Sequence, residues 1–181
     1  QKGGAMVFWD SNATVTHSTF SDNNASDGGA FYAGSNSNIT FNNTIAWGNT
    51  GVANPSASIH ASYLLSHHSV IEGGHGDFTD ADPQFVDPLY NDFRLRLGSP
   101  FVDAGDLTSV GFLYLDFRNV SRTNDAGPDL GVFEGAVDAV DLGGQVSYSG
   151  VIENGPYLVR LIDQFGHTVK EKSMAQPGLF S

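Results

Sequence analysis

The chain of 181 residues contains no cysteine, which excludes disulfide frameworks, thiolate zinc sites, iron–sulfur clusters and cysteine nucleophiles. Basic residues are scarce as well: eight stand against twenty acidic residues, so the formal net charge is −12. Because nucleic-acid binding neutralises phosphates with Lys and Arg, we expect no DNA or RNA partner. The same charge disfavours docking on anionic lipid. No apolar run approaches the ~20 residues of a membrane-spanning helix, so we expect no membrane insertion.

Helical periodicity is also missing, since residues 1–60 contain no stretch with apolar residues at i, i+3, i+4 and i+7. The sequence is rich instead in glycine, with 22 residues, and in Asn, Ser and Thr, all of which favour tight turns. This mixture predicts an all-β chain. The chain opens on Gln1 without an initiator Met and closes on Ser181. Neither end resembles a natural terminus, so we expect a piece of a longer protein.

An internal repeat runs through residues 3–49. Its landmarks recur at offsets of 25 or 26 residues: Gly3-Gly4-Ala5 with Gly28-Gly29-Ala30, Asn12-Ala13-Thr14-Val15 with Asn38-Ile39-Thr40-Phe41, and Asn23 with Asn49. The short alternating segments between these landmarks cannot each bury a face alone. Stacked as successive coils of a parallel β-solenoid, they share one core, and Asn residues at the turns can form side-chain ladders.

Residues 1–72 resemble a known family through three segments: Ser18-Thr19-Phe20-Ser21-Asp22-Asn23, Gly28-Gly29-Ala30-Phe31-Tyr32 and Thr44-Ile45-Ala46-Trp47-Gly48-Asn49. They look like the last coils of right-handed parallel β-helix repeat proteins of the large bacterial surface and secreted type. The resemblance implies a right-handed parallel β-helix and a secreted or cell-surface location.

A second and more specific set of motifs follows in residues 69–134. Its members are Ser69-Val70-Ile71-Glu72-Gly73-Gly74, Asp80-Ala81-Asp82-Pro83-Gln84-Phe85-Val86-Asp87-Pro88, Asp92-Phe93-Arg94-Leu95, Gly98-Ser99-Pro100, Asp103-Ala104-Gly105-Asp106 and Gly127-Pro128-Asp129-Leu130-Gly131-Val132-Phe133-Glu134. Together they resemble the choice-of-anchor Q module that closes such β-helices. The resemblance implies a Gly/Asp-rich cap before a surface anchor, and it implies no reaction.

The last forty residues alternate in three segments, 144–150, 157–163 and 167–174, which predicts three strands. They resemble the opening strands of a carboxypeptidase-regulatory-like (transthyretin-like) β-sandwich, with Gly166 in a hairpin turn. Three strands cannot close a sandwich, which needs about seven. We favour the interpretation that the remaining strands lie outside this chain. The alternative is completion by a neighbouring copy through strand addition, which would build a filament, and stacked β-helix ends offer a second head-to-tail route.

Acidic residues concentrate in residues 72–134, where twelve stand against four arginines. Aspartates in Gly-rich loops suit a hard cation such as Ca²⁺, and the candidate ligands are Asp103, Asp106, Asp125 and Asp129. No EF-hand or nonapeptide calcium spacing is present. The favoured alternative is that these carboxylates accept backbone N–H groups in turns. We expect some of the acidic residues to be neutralised by Arg94, Arg96 and Arg118.

Two further sets of side chains are candidates for carbohydrate chemistry. Trp9, Tyr32 and Trp47 would stack on sugar rings if exposed, with half-buried packing as the alternative. Five Asn-x-Ser/Thr sequons mark candidate glycosylation sites: Asn12, Asn24, Asn38, Asn42 and Asn119.

Catalytic patterns are not found. Gly-x-Ser-x-Gly is absent, and residues 1–60 hold only Asp10, Asp22 and Asp27 as acids, with no basic neighbour beside the last two. We therefore predict a non-catalytic, extracellular structural or adhesive segment in three parts: final β-helix coils (1–72), a cap (73–136) and a partial sandwich (137–181). Copies of itself, glycans and Ca²⁺ are its candidate partners. The alternative is the C-terminal fragment of a β-helix polysaccharide lyase or glycoside hydrolase whose active site lies upstream.

Overall fold

The computed structural model describes residues 2–52, 57–59, 63–78, 80–109, 111, 113–123, 126–137, 144–145, 157–162, 168–174 and 179–180. The chain divides into two compact units, Gln1–Ala139 and Val140–Ser181. The described residues form strands, two short 3₁₀ helices and turns, with no α-helix, which confirms the all-β class. In this part of the chain no helix has the length and apolarity needed to cross a membrane.

The first unit begins with short strands of two to five residues. They are β1 (Met6–Phe8), β2 (Asn12–Thr16), β3 (Thr19–Phe20), β4 (Asn24–Ala25), β5 (Phe31–Ala33), β6 (Asn38–Asn42), β7 (Ile45–Ala46), β8 (Thr50–Gly51), β9 (Ala57–Ile59), β10 (Tyr63–His67) and β11 (Val70–Ile71). Asn, Asp, Gly and Ser separate them, because these residues adopt turn geometry readily.

These strands pair in parallel in four sheets, with the orders β1-β5-β9, β2-β6-β10, β3-β7-β11 and β4-β8. Met6 pairs with Phe31, and Asn12 pairs with Asn38. The predicted offsets of 25 and 26 residues are therefore the register of the sheets. Strands β1–β4, β5–β8 and β9–β11 are three successive repeats, the third of which the sequence landmarks did not show.

Each repeat turns through left-handed backbone at matching positions. Positive φ angles recur at His17, Asn43 and His68 (46°, 48° and 47°) and at Asp22, Gly48 and Gly73 (57°, 69° and 98°). Asn, Asp and Gly tolerate this conformation better than other residues. The recurrence of these corners at the 25–26-residue offset keeps successive strands in register.

A first hydrophobic core lies between the sheets. Its buried members are Val15, Phe20, Ala30, Phe31, Ala33, Ile39, Phe41, Ala46 and Ile71. Phe31 and Phe41 have no solvent exposure, and their ring centroids lie 4.7 Å apart. Complete burial of a Phe side chain stabilises the fold by roughly 1.5–3 kcal/mol, so these two rings anchor the second repeat.

A second core lies on the other face of the β3-β7-β11 sheet. It contains Ile45 and Val70 of that sheet, together with Phe85, Leu95, Phe101 and Leu130. Side chains alternate along a strand, so Ala46 and Ile71 face the first core while their neighbours Ile45 and Val70 face the second. The Gly/Asp-rich residues 81–136 thus pack along the side of the parallel sheets.

This side segment contains one antiparallel pair, β12 (Phe85–Asp87) and β13 (Asp92–Leu95), on either side of a 3₁₀ helix at Pro88–Tyr90. A second 3₁₀ helix covers Leu107–Ser109. The backbone N–H of Val132 donates to Thr19 Oγ1 at 3.1 Å, which ties the end of the segment to the first repeat.

The second unit contains β14 (Gly144–Gln145), β15 (Tyr157–Ile162), β16 (Thr168–Met174) and β17 (Leu179–Phe180). β15 pairs with β16, and β14 pairs with β17, both antiparallel. The predicted strands at 157–163 and 167–174 are confirmed within one residue at each end. Of the predicted strand at 144–150 the structure describes only β14, and Gly166 lies outside the described residues.

Candidate functional site

Equivalent polar side chains of successive repeats bond to each other. Asn38 Nδ2 donates to Asn12 Oδ1 at 2.8 Å, and Asn23 Nδ2 donates to Asn49 Oδ1 at 2.9 Å. Asn24 Nδ2 donates to Thr50 Oγ1 at 2.6 Å. These contacts confirm the predicted ladders.

Three of the five sequon asparagines, Asn12, Asn24 and Asn38, are exposed members of these ladders. Asn42 is half-buried at the end of β6, and Asn119 is exposed with φ of 65°. Glycosylation at these positions stays a prediction.

The edge of the third repeat is occupied by Asp77. In the earlier repeats, the N–H of Asn43 donates to the carbonyl of His67 in the next repeat, and the N–H of Thr44 donates to the hydroxyl of Ser69. The equivalent N–H groups of His68 and Ser69 donate to the Asp77 carboxylate instead, at 2.6 and 2.7 Å. One carboxylate therefore substitutes for both acceptors of a following repeat.

The predicted metal ligands have the following positions. Asp129 is buried, and its Oδ1 accepts the N–H of Asp103 at 2.8 Å. Asp106 accepts the N–H of Thr108 at 3.1 Å and also its hydroxyl. Asp125 lies outside the described residues. In the described part of the chain no three His, Cys, Asp or Glu side chains converge as a metal-binding group, and Ca²⁺ binding stays a prediction.

Two of the three arginines expected to neutralise aspartates do so. Arg94 pairs with Asp92 at 2.5 Å, and Arg118 pairs with Asp116 at 3.3 Å. Arg96 donates instead to backbone carbonyls, those of Phe85 and Val86. Its guanidinium therefore holds the β12 backbone.

The candidate sugar-stacking aromatics occupy two places. Trp9 and Tyr32 stack on each other, with ring centroids 6.2 Å apart and an interplanar angle of 11°. Lys2 Nζ lies 4.1 Å from the centroid of the Tyr32 ring. Trp9 is 54% exposed, whereas Tyr32 is buried. Tyr32 is therefore a packing residue, and Trp9 is the exposed member of the pair.

Trp47 lies elsewhere, in an open groove of about 650 Å³ between the parallel sheets and the side segment. Its indole packs in part against the second core. The groove wall from the repeats also contains Asp22, and the opposite wall contains Asp82, Gln84 and Arg96. An aromatic ring, two carboxylates, an amide and a guanidinium thus surround one open concave surface.

A buried charged cluster joins the loops of the side segment. Arg122 Nη1 lies 3.1 Å from Glu134 Oε2, with side-chain exposures of 3% and 2%. Glu134 Oε1 also accepts the N–H of Asp129 at 2.9 Å. Burial, with the nearby charge of Asp129, raises the pKa of Glu134 to about 7, against the lowering effect of the Asp129 N–H and of Arg122.

Asp116 lies in the same cluster. Burial raises the pKa of this carboxyl, but N–H donation from Glu134, Val120 and Arg118 outweighs burial, so its pKa lies below the usual range. The Glu134 N–H reaches Asp116 Oδ2 at 2.8 Å. The Asp116 carboxylate thus accepts three backbone N–H groups and holds the loop around it.

Asn43 connects the repeats to the side segment, and His17 lies beside it. The Nε2 of His17 lies 3.0 Å from Asn43 Nδ2. The Asn43 amide is oriented by Asp106, whose N–H donates to Asn43 Oδ1 at 2.8 Å. Asn43 Nδ2 also donates to the Asp106 carbonyl at 3.0 Å and to Ser109 Oγ at 2.8 Å. Burial, with the charge of Arg122, lowers the pKa of His17 to about 4.

Sequence reasoning missed the groove partners and the charged cluster. Asp82, Gln84 and Arg96 stand 35 to 49 positions after Trp47, and nothing local in the sequence joins them. Glu134 and Arg122 resemble ordinary surface charges in a sequence.

Comparison of the chain with protein-family models, with curated proteins and with solved structures gives no match. The fold and the sites above therefore stand on their own geometry.

Proposed function

We propose that residues 2–71 are coils of a right-handed parallel β-helix and that the chain is a non-catalytic structural segment of a secreted or cell-surface protein. The observation that carries the proposal is the register of the three repeats. Strands of one repeat pair in parallel with the same strands of the next, and like side chains stack on like. Parallel connections within one sheet are right-handed in about 98% of cases, which supports the handedness.

Such a stack has a mechanical function. Each repeat contributes about 4.8 Å along the axis, and backbone bonds between repeats are reinforced by the buried Asn49 amide, which bonds both Asn23 and the Phe20 carbonyl. A rod held at every level by backbone and side-chain bonds resists bending, and its loops give a display surface.

Further copies could add at the third repeat or at the strands of the second unit, and the two routes differ in what must be displaced. Growth by stacking on the third repeat has to displace Asp77, which already satisfies the N–H groups of His68 and Ser69. Strand addition to the two-stranded sheets of the second unit leaves the Asp77 contacts in place. It is the route we retain for filament formation.

Negative-stain electron microscopy, with Ca²⁺ and again with EDTA, tests this function. Regular filaments would support strand addition between copies, and their loss in EDTA would assign Ca²⁺ joints to the acidic loops around Asp103, Asp106 and Asp129. Dispersed particles in both conditions would contradict assembly. Release of short sugars from a polysaccharide would contradict the non-catalytic role and favour the lyase or hydrolase alternative.

A further inference from the structure

The groove around Trp47 presents polar atoms that the described residues leave without hydrogen-bond partners. These atoms are the indole N–H of Trp47, the carboxylate of Asp22 and the side-chain amide of Gln84. Polar groups that converge on one concave surface and do not bond each other are available to a ligand.

The backbone beneath these side chains is held firmly. The N–H of Trp47 donates to the Phe20 carbonyl at 3.0 Å, which fixes it to the first repeat. Gln84 adopts φ of 55°, with its N–H on Asp82 Oδ1 at 2.8 Å and its carbonyl accepting from Arg96 at 3.1 Å. A site whose side chains project from fixed backbone loses little entropy on binding.

The chemistry of the lining matches a sugar ring. A pyranose has one apolar face, which an indole covers well, and hydroxyl groups at its rim. Carboxylates accept from hydroxyls, and a Gln amide both donates and accepts, so Asp22, Asp82 and Gln84 suit that rim. The volume of about 650 Å³ lies in the range of small-molecule sites and accommodates more than one sugar ring.

The charge of the groove selects among sugars. Asp22 and Asp82 contribute two carboxylates against the one guanidinium of Arg96, which also bonds the carbonyls of Phe85 and Val86. The chain as a whole carries a formal net charge of −12. Uronic acids and sulfated glycans are therefore repelled, and a neutral saccharide is favoured.

We propose that this groove binds a neutral hexose-containing oligosaccharide, with one ring stacked on Trp47 and its hydroxyls bonded to Asp22 and Gln84. This site goes beyond the structural role proposed above and does not depend on filament formation.

The test is a fluorescence titration of a Trp9→Phe variant, in which Trp47 is the only tryptophan. The probes are cellohexaose, maltohexaose and mannohexaose, each in EDTA to exclude metal bridging, with hexagalacturonate and hexalysine as charged comparisons. We expect a saturable change in Trp47 emission with at least one neutral hexasaccharide and none with hexagalacturonate. No saturation with any neutral probe would overturn the proposal, as would preferential binding of either charged probe.

Variants of the full chain separate the groove from the rest of the surface. Isothermal titration with the binding hexasaccharide should show that Trp47→Ala and Gln84→Ala each weaken association about tenfold or more, equivalent to ~1.4 kcal/mol. Trp9→Ala is the matched control, since it removes the other tryptophan and should leave affinity unchanged. Equal affinity of both groove variants and the original chain overturns the site. Shorter sugars in the titrated sample would overturn simple binding in favour of hydrolysis.

Discussion

Single residues in the charged cluster decide how the stability of the first unit responds to pH. Glu134 has a pKa raised by burial, and His17 has a pKa lowered by burial and by Arg122. A raised carboxyl pKa means that stability falls as pH rises from about 4.5 to about 7. A lowered histidine pKa means that stability falls as pH drops from 6.5 to about 4. The two contributions oppose each other between pH 4.5 and 6.5.

His17→Asn tests the histidine contribution. Asn fits the left-handed corner, as Asn43 does at the equivalent position of the next repeat. We expect the free energy of unfolding to fall less between pH 6.5 and 4 in the variant than in the original chain, as measured by urea denaturation. His67→Asn, at an exposed position, is the control and should leave the pH profile unchanged. A His17→Asn profile parallel to that of the original chain would contradict the assignment.

Arg122→Met tests the buried ion pair. The substitution removes a cation that lowers the Glu134 pKa, so at alkaline pH the carboxylate is buried without a counter-charge, and we expect a loss of about 3–5 kcal/mol in the free energy of unfolding there. Adding Glu134→Gln removes that charge but keeps an acceptor for the Asp129 N–H, so the double variant should regain more than half of the loss. Arg94→Met, in a partly exposed pair, should cost about 0–1 kcal/mol. Equal costs at Arg122 and Arg94 would refute the role of burial.

At the scale of elements, the last strands of the parallel sheets need hydrogen-bond partners for their outer edge. An exposed strand edge is a template for another chain. The Asp77 carboxylate closes the edge of the third repeat at His68 and Ser69. Gly76 makes this approach possible, because a Cβ there would lie 2.4 Å from the Ser69 carbonyl oxygen.

Asp77→Ala should therefore do two things. Two N–H groups lose their acceptor, which should lower the free energy of unfolding by about 1–3 kcal/mol, and sedimentation velocity should show increased self-association. Asp80→Ala is the control, because the Asp80 carboxylate also accepts two N–H groups, those of Gly73 and Gly74, but within its own turn. Self-association of both variants to the same degree would show that the effect is not specific to the strand edge.

At the scale of the whole molecule, the side segment is part of the N-terminal unit because residues of the side segment and of the parallel sheets form the second core together. Ile45 and Val70 are fully buried only with Phe101 and Leu130 packed on them. Removing the side segment would expose the outer face of the β3-β7-β11 sheet to water, at about 25 cal/mol per Å² of apolar surface.

Two truncated chains test this dependence. Residues 1–139 should unfold in one cooperative urea transition, since this range is a compact unit by itself. Residues 1–80 retain all three repeats but lack the second core, and should give a broad transition in tryptophan fluorescence and far-ultraviolet circular dichroism. A sharp transition for residues 1–80 would show that the repeats are stable alone.

The amino-acid sequence by itself determined the all-β class and the spacing of the first two repeats. Gly3 and Gly28, or Asn12 and Asn38, mark equivalent corners and strand starts, and parallel pairing places equivalent residues side by side. The third repeat was not predicted from the sequence because Tyr63 occupies the position equivalent to Asn12 and Asn38. Its pairing depends on hydrogen bonds made by the backbone, which any side chain permits.

Only the tertiary structure decided the groove, the charged cluster and the closing role of Asp77. Thr19 and Val132 are 113 positions apart and share a hydrogen bond, and the walls of the groove come from segments equally unrelated in sequence. A charge becomes buried, and its pKa moves, only when distant loops exclude water from it. The local sequence pattern determines which residues form turns and which segments alternate between apolar and polar side chains. Burial of a charge and convergence of distant side chains depend on the folded chain.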